Sequence, residues 1–154
     1  MTKPAALAAL RARLSEELAV LERITAMARD EATSPESRPE NKYDTRALEA
    51  SYLAAGQGQR LAELRQLVAW AALEPSSCAV GQLGALVHVE VDDVPRWVLL
   101  GPRGGPSASC EGGEVGLVSV ESPLGRALQG LAAGDDGELD RPSGVVGLEV
   151  LSVS

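Results

Sequence analysis

The residues best placed to do chemistry crowd into one short stretch, Glu36-Ser-Arg-Pro-Glu-Asn-Lys-Tyr-Asp-Thr45 with Arg46 after it. Those eleven residues hold three carboxylates, Glu36, Glu40 and Asp44, and three cations, Arg38, Lys42 and Arg46. Glu40 and Asp44 stand four apart and on a helix share one face. Such a cluster can hold a hard cation through oxygen, or it can satisfy itself. Ser37-Arg-Pro-Glu40 fits a capping box, the Ser side chain accepting from one free amide while Glu40 reaches back to another. Asp44 beside Lys42 and Arg46 fits a solvent-exposed ion pair, which is worth little, and Tyr43 fits a packing residue for the turn as well as it fits a contact.

The sequence on either side must position this stretch. Before it, Leu7, Leu10, Leu14, Leu18, Leu21 and Ile24 recur at spacings of three and four with charges between them, which predicts a helix with one apolar stripe. Thr2 can cap its start, and Pro4 is tolerated in the first turn. A helix over about residues 4–31 is roughly 40 Å long, too long for so small a domain unless it projects. It should stop near Thr33-Ser34-Pro35, where proline forbids continuation. Leu48, Tyr52, Ala55, Leu61, Leu64, Val68 and Ala71 mark a returning helix. Its weak point is Gly56-Gln-Gly-Gln59, where two interior glycines cost about 1 kcal/mol each relative to Ala and predict a bend or a close approach of the helices. Residues 1–75 thus read as an antiparallel coiled-coil hairpin with its tip at about 33–46.

Glu74-Pro-Ser-Ser-Cys78 breaks that pattern, and the apolar period changes from about 3.6 to 2. Leu86–Val91 alternates as a strand, Asp92-Asp93 turns, and Arg96–Leu100 completes a hairpin. Gly101–Pro106 reads as a loop, Gly116–Val120 as a strand, and Ser122–Gly130 as a short helix with Ser at the cap and Pro first. Gly134–Gly137 turns again and Val145–Val153 is a closing strand. Residues 76–154 therefore predict a small antiparallel sheet with one helix, making the whole chain α+β. His88, flanked by Val87 and Val89, reads as a solvent-side strand residue.

Composition narrows the functions available. The first 75 residues carry ten Lys and Arg against eleven Asp and Glu, and the remainder four against eleven, so all but one unit of the net charge of −8 sits in the second domain. An acidic surface repels phosphate backbones and argues against independent nucleic-acid binding, while leaving room for docking on a basic protein. Cys78 and Cys110 have no metal-ligand spacing and read as inert thiols, and a single histidine gives no ligand set for zinc. Neither a signal-peptide core nor a membrane-spanning run is present, so the expectation is a cytoplasmic protein without membrane attachment. A prolyl-isomerase site lined with aromatic rings is not on offer, Trp97 being the one large ring of the second domain.

A coiled-coil hairpin with Glu40-Asn41 and Tyr43 at its tip, followed by a domain containing Val-Ser-Val-Glu-Ser-Pro-Leu-Gly-Arg-Ala-Leu-Gln-Gly and then Gly134-Asp135, resembles the bacterial Gre transcription elongation factors. The resemblance implies an FKBP-like second domain that docks on RNA polymerase, with Ser122, Pro123, Leu124 and Gly125 as docking residues. It implies a hairpin that enters the polymerase secondary channel and stimulates cleavage of the 3′ end of backtracked RNA. Glu40 and Asp44, with Glu36, would act there as catalytic residues, Glu40 and Asp44 holding Mg²⁺ jointly with the polymerase. Arg38, Asn41, Lys42, Tyr43 and Arg46 would contact RNA or channel phosphates. The expected protein is a monomeric accessory factor with no cofactor of its own and no complete active site. It departs from the family pattern Asp-x-x-Glu-Asn in having Ser37 three before Glu40. The other readings are a non-cleaving, inhibitory channel occupant and an adaptor that dimerises through its coiled coil.

Overall fold

The structure, a computed structural model, describes residues 1–33, 46–73 and 76–154. Its elements in order are α1 (Lys3–Thr33), α2 (Arg46–Ala71), β1 (Leu86–Val91), β2 (Val94–Gly101), β3 (Ser107–Cys110), β4 (Gly113–Ser119), α3 (Pro123–Leu128), β5 (Asp136–Arg141) and β6 (Gly144–Val153). Two compact units emerge, one formed by Met1–Leu14 with Ala71–Ser154 and the other by Ser15–Trp70. The unit that holds the sheet thus takes in the first fourteen residues of the chain as well.

In the helical unit, Leu61, Leu64 and Leu67 are buried along α2, and Thr25 is buried on α1. The stripe read from sequence shifts at two places. Thr25, not Ile24, faces inward four residues after Leu21, and its hydroxyl donates to the Leu21 carbonyl at 2.8 Å, so the buried oxygen is satisfied. Ile24 is 49% exposed and Tyr52 72%. A seam repeating every 3.5 residues alternates steps of three and four, and a second step of three is what sequence inspection inserted at Ile24. Exposed ion pairs, Glu22 to Arg65 at 2.7 Å and Glu17 to Arg60 at 3.8 Å, link the two helices. Helix α2 runs unbroken through Gly56 and Gly58. A Cβ on either glycine meets nothing within 4 Å, so among the described residues the close approach expected there is not seen.

The other unit is built on a six-stranded sheet in the order β3-β4-β2-β1-β6-β5. It is antiparallel, as expected, except that β2 pairs with β4 in parallel. Asp92 and Asp93 make the β1–β2 turn with φ of 55° and 59°, the left-handed pair that a two-residue hairpin requires. Alternation along the strands sends Val87, Val89, Val91, Val98 and Leu100 to a core shared with Leu139, Leu148, Val150 and Leu128 of α3. Leu86 of β1, Leu99 of β2, and Val115 and Leu117 of β4 are buried too, while the other β1 positions between the core valines hold half-buried His88 and Glu90. Ala6, Leu7 and Leu10 of α1 are buried in this same unit. Thr2 caps α1, its hydroxyl accepting from the Ala5 amide at 3.4 Å. Arg11 caps the end of α2, donating to the carbonyls of Ala71 and, at 2.9 Å, Leu73.

Candidate functional site

Of the tip residues, Glu36, Arg38, Glu40, Asn41, Lys42, Tyr43 and Asp44 lie outside the described residues, as does the capping box at Ser37, and Arg46 is described only as helical backbone at the head of α2. The site that can be built atom by atom is the α3 turn. Ser122 ends the segment after β4 in an extended conformation, and its Oγ accepts from the Gly125 amide at 3.0 Å while donating to the Ser119 carbonyl at 2.7 Å. Pro123 occupies the first helical position, where its missing N–H costs nothing. A Cβ on buried Gly125 would lie 2.0 Å from the Ser119 carbonyl oxygen, so only glycine lets α3 fold back on the end of β4.

The structure therefore brings the four expected docking residues together, with unequal exposure. Pro123 is exposed, Ser122 and Leu124 are half-buried, and Gly125 is buried. Leu124 packs toward the core beside Leu128. Glu121 and Arg126, paired at 3.2 Å, and Gln129, which donates to the Val120 carbonyl at 3.0 Å, complete the outward surface. Behind α3 the chain is clamped. Gly81 and Leu131 exchange a backbone bond of 2.8 Å, Gly130 donates to the Gly81 carbonyl, and a Cβ on Gly81 would strike the Leu128 carbonyl at 1.9 Å. Gly134 turns with φ of 89°, and the Asp135 carboxylate accepts from the Ala132 amide at 2.7 Å. The Asp135 backbone in turn accepts from Val150 of β6.

Sequence reasoning missed a second feature. His88 and Trp97 face each other across β1 and β2 with ring centroids 4.2 Å apart and planes within 5°. His88 alternates with the core residues Val87 and Val89 and is half-buried. Desolvation pushes its pKa below the ordinary 6.5, the N-terminal ammonium pushes the same way, and Glu90 opposes both. The signal was available, since hairpin register set by the two-residue turn places His88 opposite Trp97. Elsewhere on the sheet, Glu90, Asp92, Asp93, Asp136, Glu138 and Glu149 line an open acidic depression, with Arg141 held on Asp92 at 2.7 Å. Among the described residues no group of three or more His, Cys, Asp or Glu is placed to hold a metal, and no helix is long and apolar enough to cross a membrane. What the α3 turn offers chemically is a rigid, polar-edged surface.

Comparison with known proteins falls on this same region. Residues 107–154, from β3 to the last residue, match the family model described as transcription elongation factor GreA/GreB, C-terminal. Over 113 residues the chain is 31% identical to transcription elongation factor GreA of Nautilia profundicola, an alignment covering 66% of this chain and 65% of that protein, so the chain spans just under two thirds of its relative's length. Among solved structures, GreA factor homolog 1 of Thermus thermophilus is 25% identical with 94% of each chain covered and a TM-score of 0.37. Its Thermus aquaticus counterpart is 22% identical with 92% and 91% covered and a TM-score of 0.39. The likeness rests on the sequence matches, and the span of the family model takes in the α3 turn. From β3 onward the chain is thus similar to the C-terminal domain of the GreA/GreB transcription elongation factors.

Proposed function

We propose that this protein is a Gre-type regulator that docks on bacterial RNA polymerase through the α3 turn and inserts its helical hairpin into the secondary channel, stimulating cleavage of backtracked RNA. The observation that carries the reading is the match of residues 107–154 to the Gre C-terminal domain, reinforced by the capped turn at Ser122–Leu128 and the Asp135 turn behind it. Cleavage is the work of the polymerase active site, and this chain acts as an accessory to it. Glu40 and Asp44 are an oxygen donor set that suits Mg²⁺, which keeps several waters and needs only one or two protein carboxylates. Held jointly with the polymerase, the ion would supply an activated water. Glu36 would support the pair, and Arg38, Asn41, Lys42, Tyr43 and Arg46 would meet RNA or channel phosphates.

The test is a purified, stalled and backtracked elongation complex with 3′-labelled RNA, with and without the protein. Faster release of short labelled fragments is expected. Glu40→Ala and Asp44→Ala should each reduce that release by at least about tenfold at unchanged polymerase binding. No acceleration, combined with competition against an authentic Gre factor, would assign the chain to non-cleaving channel occupants, the reading that Ser37 favours. Loss of polymerase binding in the tip variants would move those residues into a structural role.

A second reading has its own observation. Val20, Ile24 and Met27 on α1 and Tyr52 and Leu53 on α2 are exposed, an apolar surface that a self-pairing coiled coil would cover. A concentration-dependent dimer in sedimentation would favour that adaptor, and a monomer the polymerase factor.

A further inference from the structure

Lys3 and Cys78 stand 75 positions apart in sequence, and both are buried, Lys3 to 8% exposure and Cys78 to 4%. The Lys3 Nζ lies 3.5 Å from the Cys78 Sγ. It also donates to the backbone oxygens of Ser76 and, at 3.0 Å, Ser154. Three acceptors meet the three N–H bonds of an ammonium, one of them an oxygen of Ser154, the last residue of the sequence. Among the described residues, the one side chain it faces is a thiol. Two nucleophilic groups are thus enclosed together, and the other cysteine, Cys110, lies in β3 and forms no disulfide.

We propose that Lys3 and Cys78 form a reversible oxidative cross-link, a sulfenamide joining Nζ to Sγ, with hydrogen peroxide as the oxidant. In the first step the sulfur attacks one peroxide oxygen. An S–O bond forms, the O–O bond breaks, and the thiol becomes a sulfenic acid with release of one water. In the second step the Lys3 ammonium gives up one proton to solvent, and the amine so formed attacks that sulfur. The S–N bond forms, the S–O bond breaks, and the hydroxyl leaves as a second water with a proton from the amine. Sulfur is oxidised by two electrons and peroxide reduced by two. Sulfenic acids are commonly captured by a thiol or by a backbone nitrogen, and an amine held beside the sulfur gains the same advantage of proximity. Two equivalents of a small thiol reverse the reaction, returning the free amine and Cys78 thiol and leaving one small-molecule disulfide. The link would pin the first turn of α1 to the segment before β1 and close a long loop of chain, which constrains the unfolded state most when the loop is long. This inference stands independently of the polymerase reading.

The experiment uses the full chain, treated with hydrogen peroxide, quenched, digested and mapped by mass spectrometry. The expected product joins the Lys3 and Cys78 peptides at a mass two hydrogens below their sum, with no added oxygen. It separates on treatment with dithiothreitol, persists in Cys110→Ser, and is absent in Lys3→Arg, which keeps the charge but not the nucleophilic amine. The melting temperature of the oxidised wild type should rise and fall back on reduction, and that of oxidised Lys3→Arg should do neither. Cys78 found as sulfenic or sulfinic acid with Lys3 unlinked would overturn the proposal. So would an unmodified Cys78 under conditions that oxidise Cys110 completely, or a link from Cys78 to any other residue.

Discussion

His88 lies flat on Trp97 in a partly desolvated position, and the chain's N-terminal ammonium adds to the disfavour of a positive ring, with Glu90 working the other way. Because its folded-state pKa is below the ordinary 6.5, the unfolded chain binds the proton more readily. The stabilisation from this residue is therefore complete above 6.5 and lost as pH falls through the folded value. An NMR titration of the His88 ring should give a midpoint under 6.5, and thermal melts should show wild type losing stability below that pH relative to His88→Gln. The residues that point to the family have a different character. Ser122 caps, Gly125 and Gly81 leave room for carbonyls, Gly134 takes positive φ and Asp135 closes a turn. Each is explained by folding the α3 region, so the motif identifies a scaffold before it identifies a contact.

At the scale of elements, the same substitution should act with opposite sign on different glycines. Gly56→Ala and Gly58→Ala meet open space in α2 and should each stabilise by about 0.5–1 kcal/mol. Gly125→Ala drives a methyl into the Ser119 carbonyl and should destabilise by about 1–3 kcal/mol. Denaturant melts of the three variants check both signs. The sequence was legible wherever one residue type determined a local outcome. Asp92-Asp93 announced its turn, Ser122-Pro123 its helix, and the leucines of α1 their seam until Thr25 displaced Ile24. It was illegible at the sheet margins. Strand β3 buries Ala108 alone, and β5 buries Leu139 among four charged residues, because edge strands keep polar side chains toward solvent. The parallel β2–β4 pairing was hidden for another reason. Nothing in Trp97–Gly101 or Val115–Ser119 records direction, which is set by the crossover through the β3 edge. The candidate site divides likewise: the α3 turn was readable, while the tip lies outside the described residues.

At the scale of the whole molecule, the boundaries of stability do not follow the chain's linear division. Met1–Leu14 belongs with the sheet, where Ala6 and Leu10 reach 0% exposure and Leu7 5%. A fragment of residues 76–154 should accordingly be less stable than the same sheet in the full chain, at about 1.5–3 kcal/mol for each fully buried leucine removed. Hydrogen exchange at β1 and β2, compared between fragment and full chain, measures that difference. The strand order has a further consequence for how the protein comes into being. Strand β6 lies between β1 and β5, so one edge of β1 has no partner until residues 144–153 have been synthesised. A ribosome paused before Gly144 displays a chain whose central strand is half paired, and pairings that wait for distant sequence are slow to form. Such nascent chains expose Val87, Val89 and Val91 to chaperones and proteases, and an early stop codon in this reading frame yields a degraded polypeptide rather than a shorter working factor.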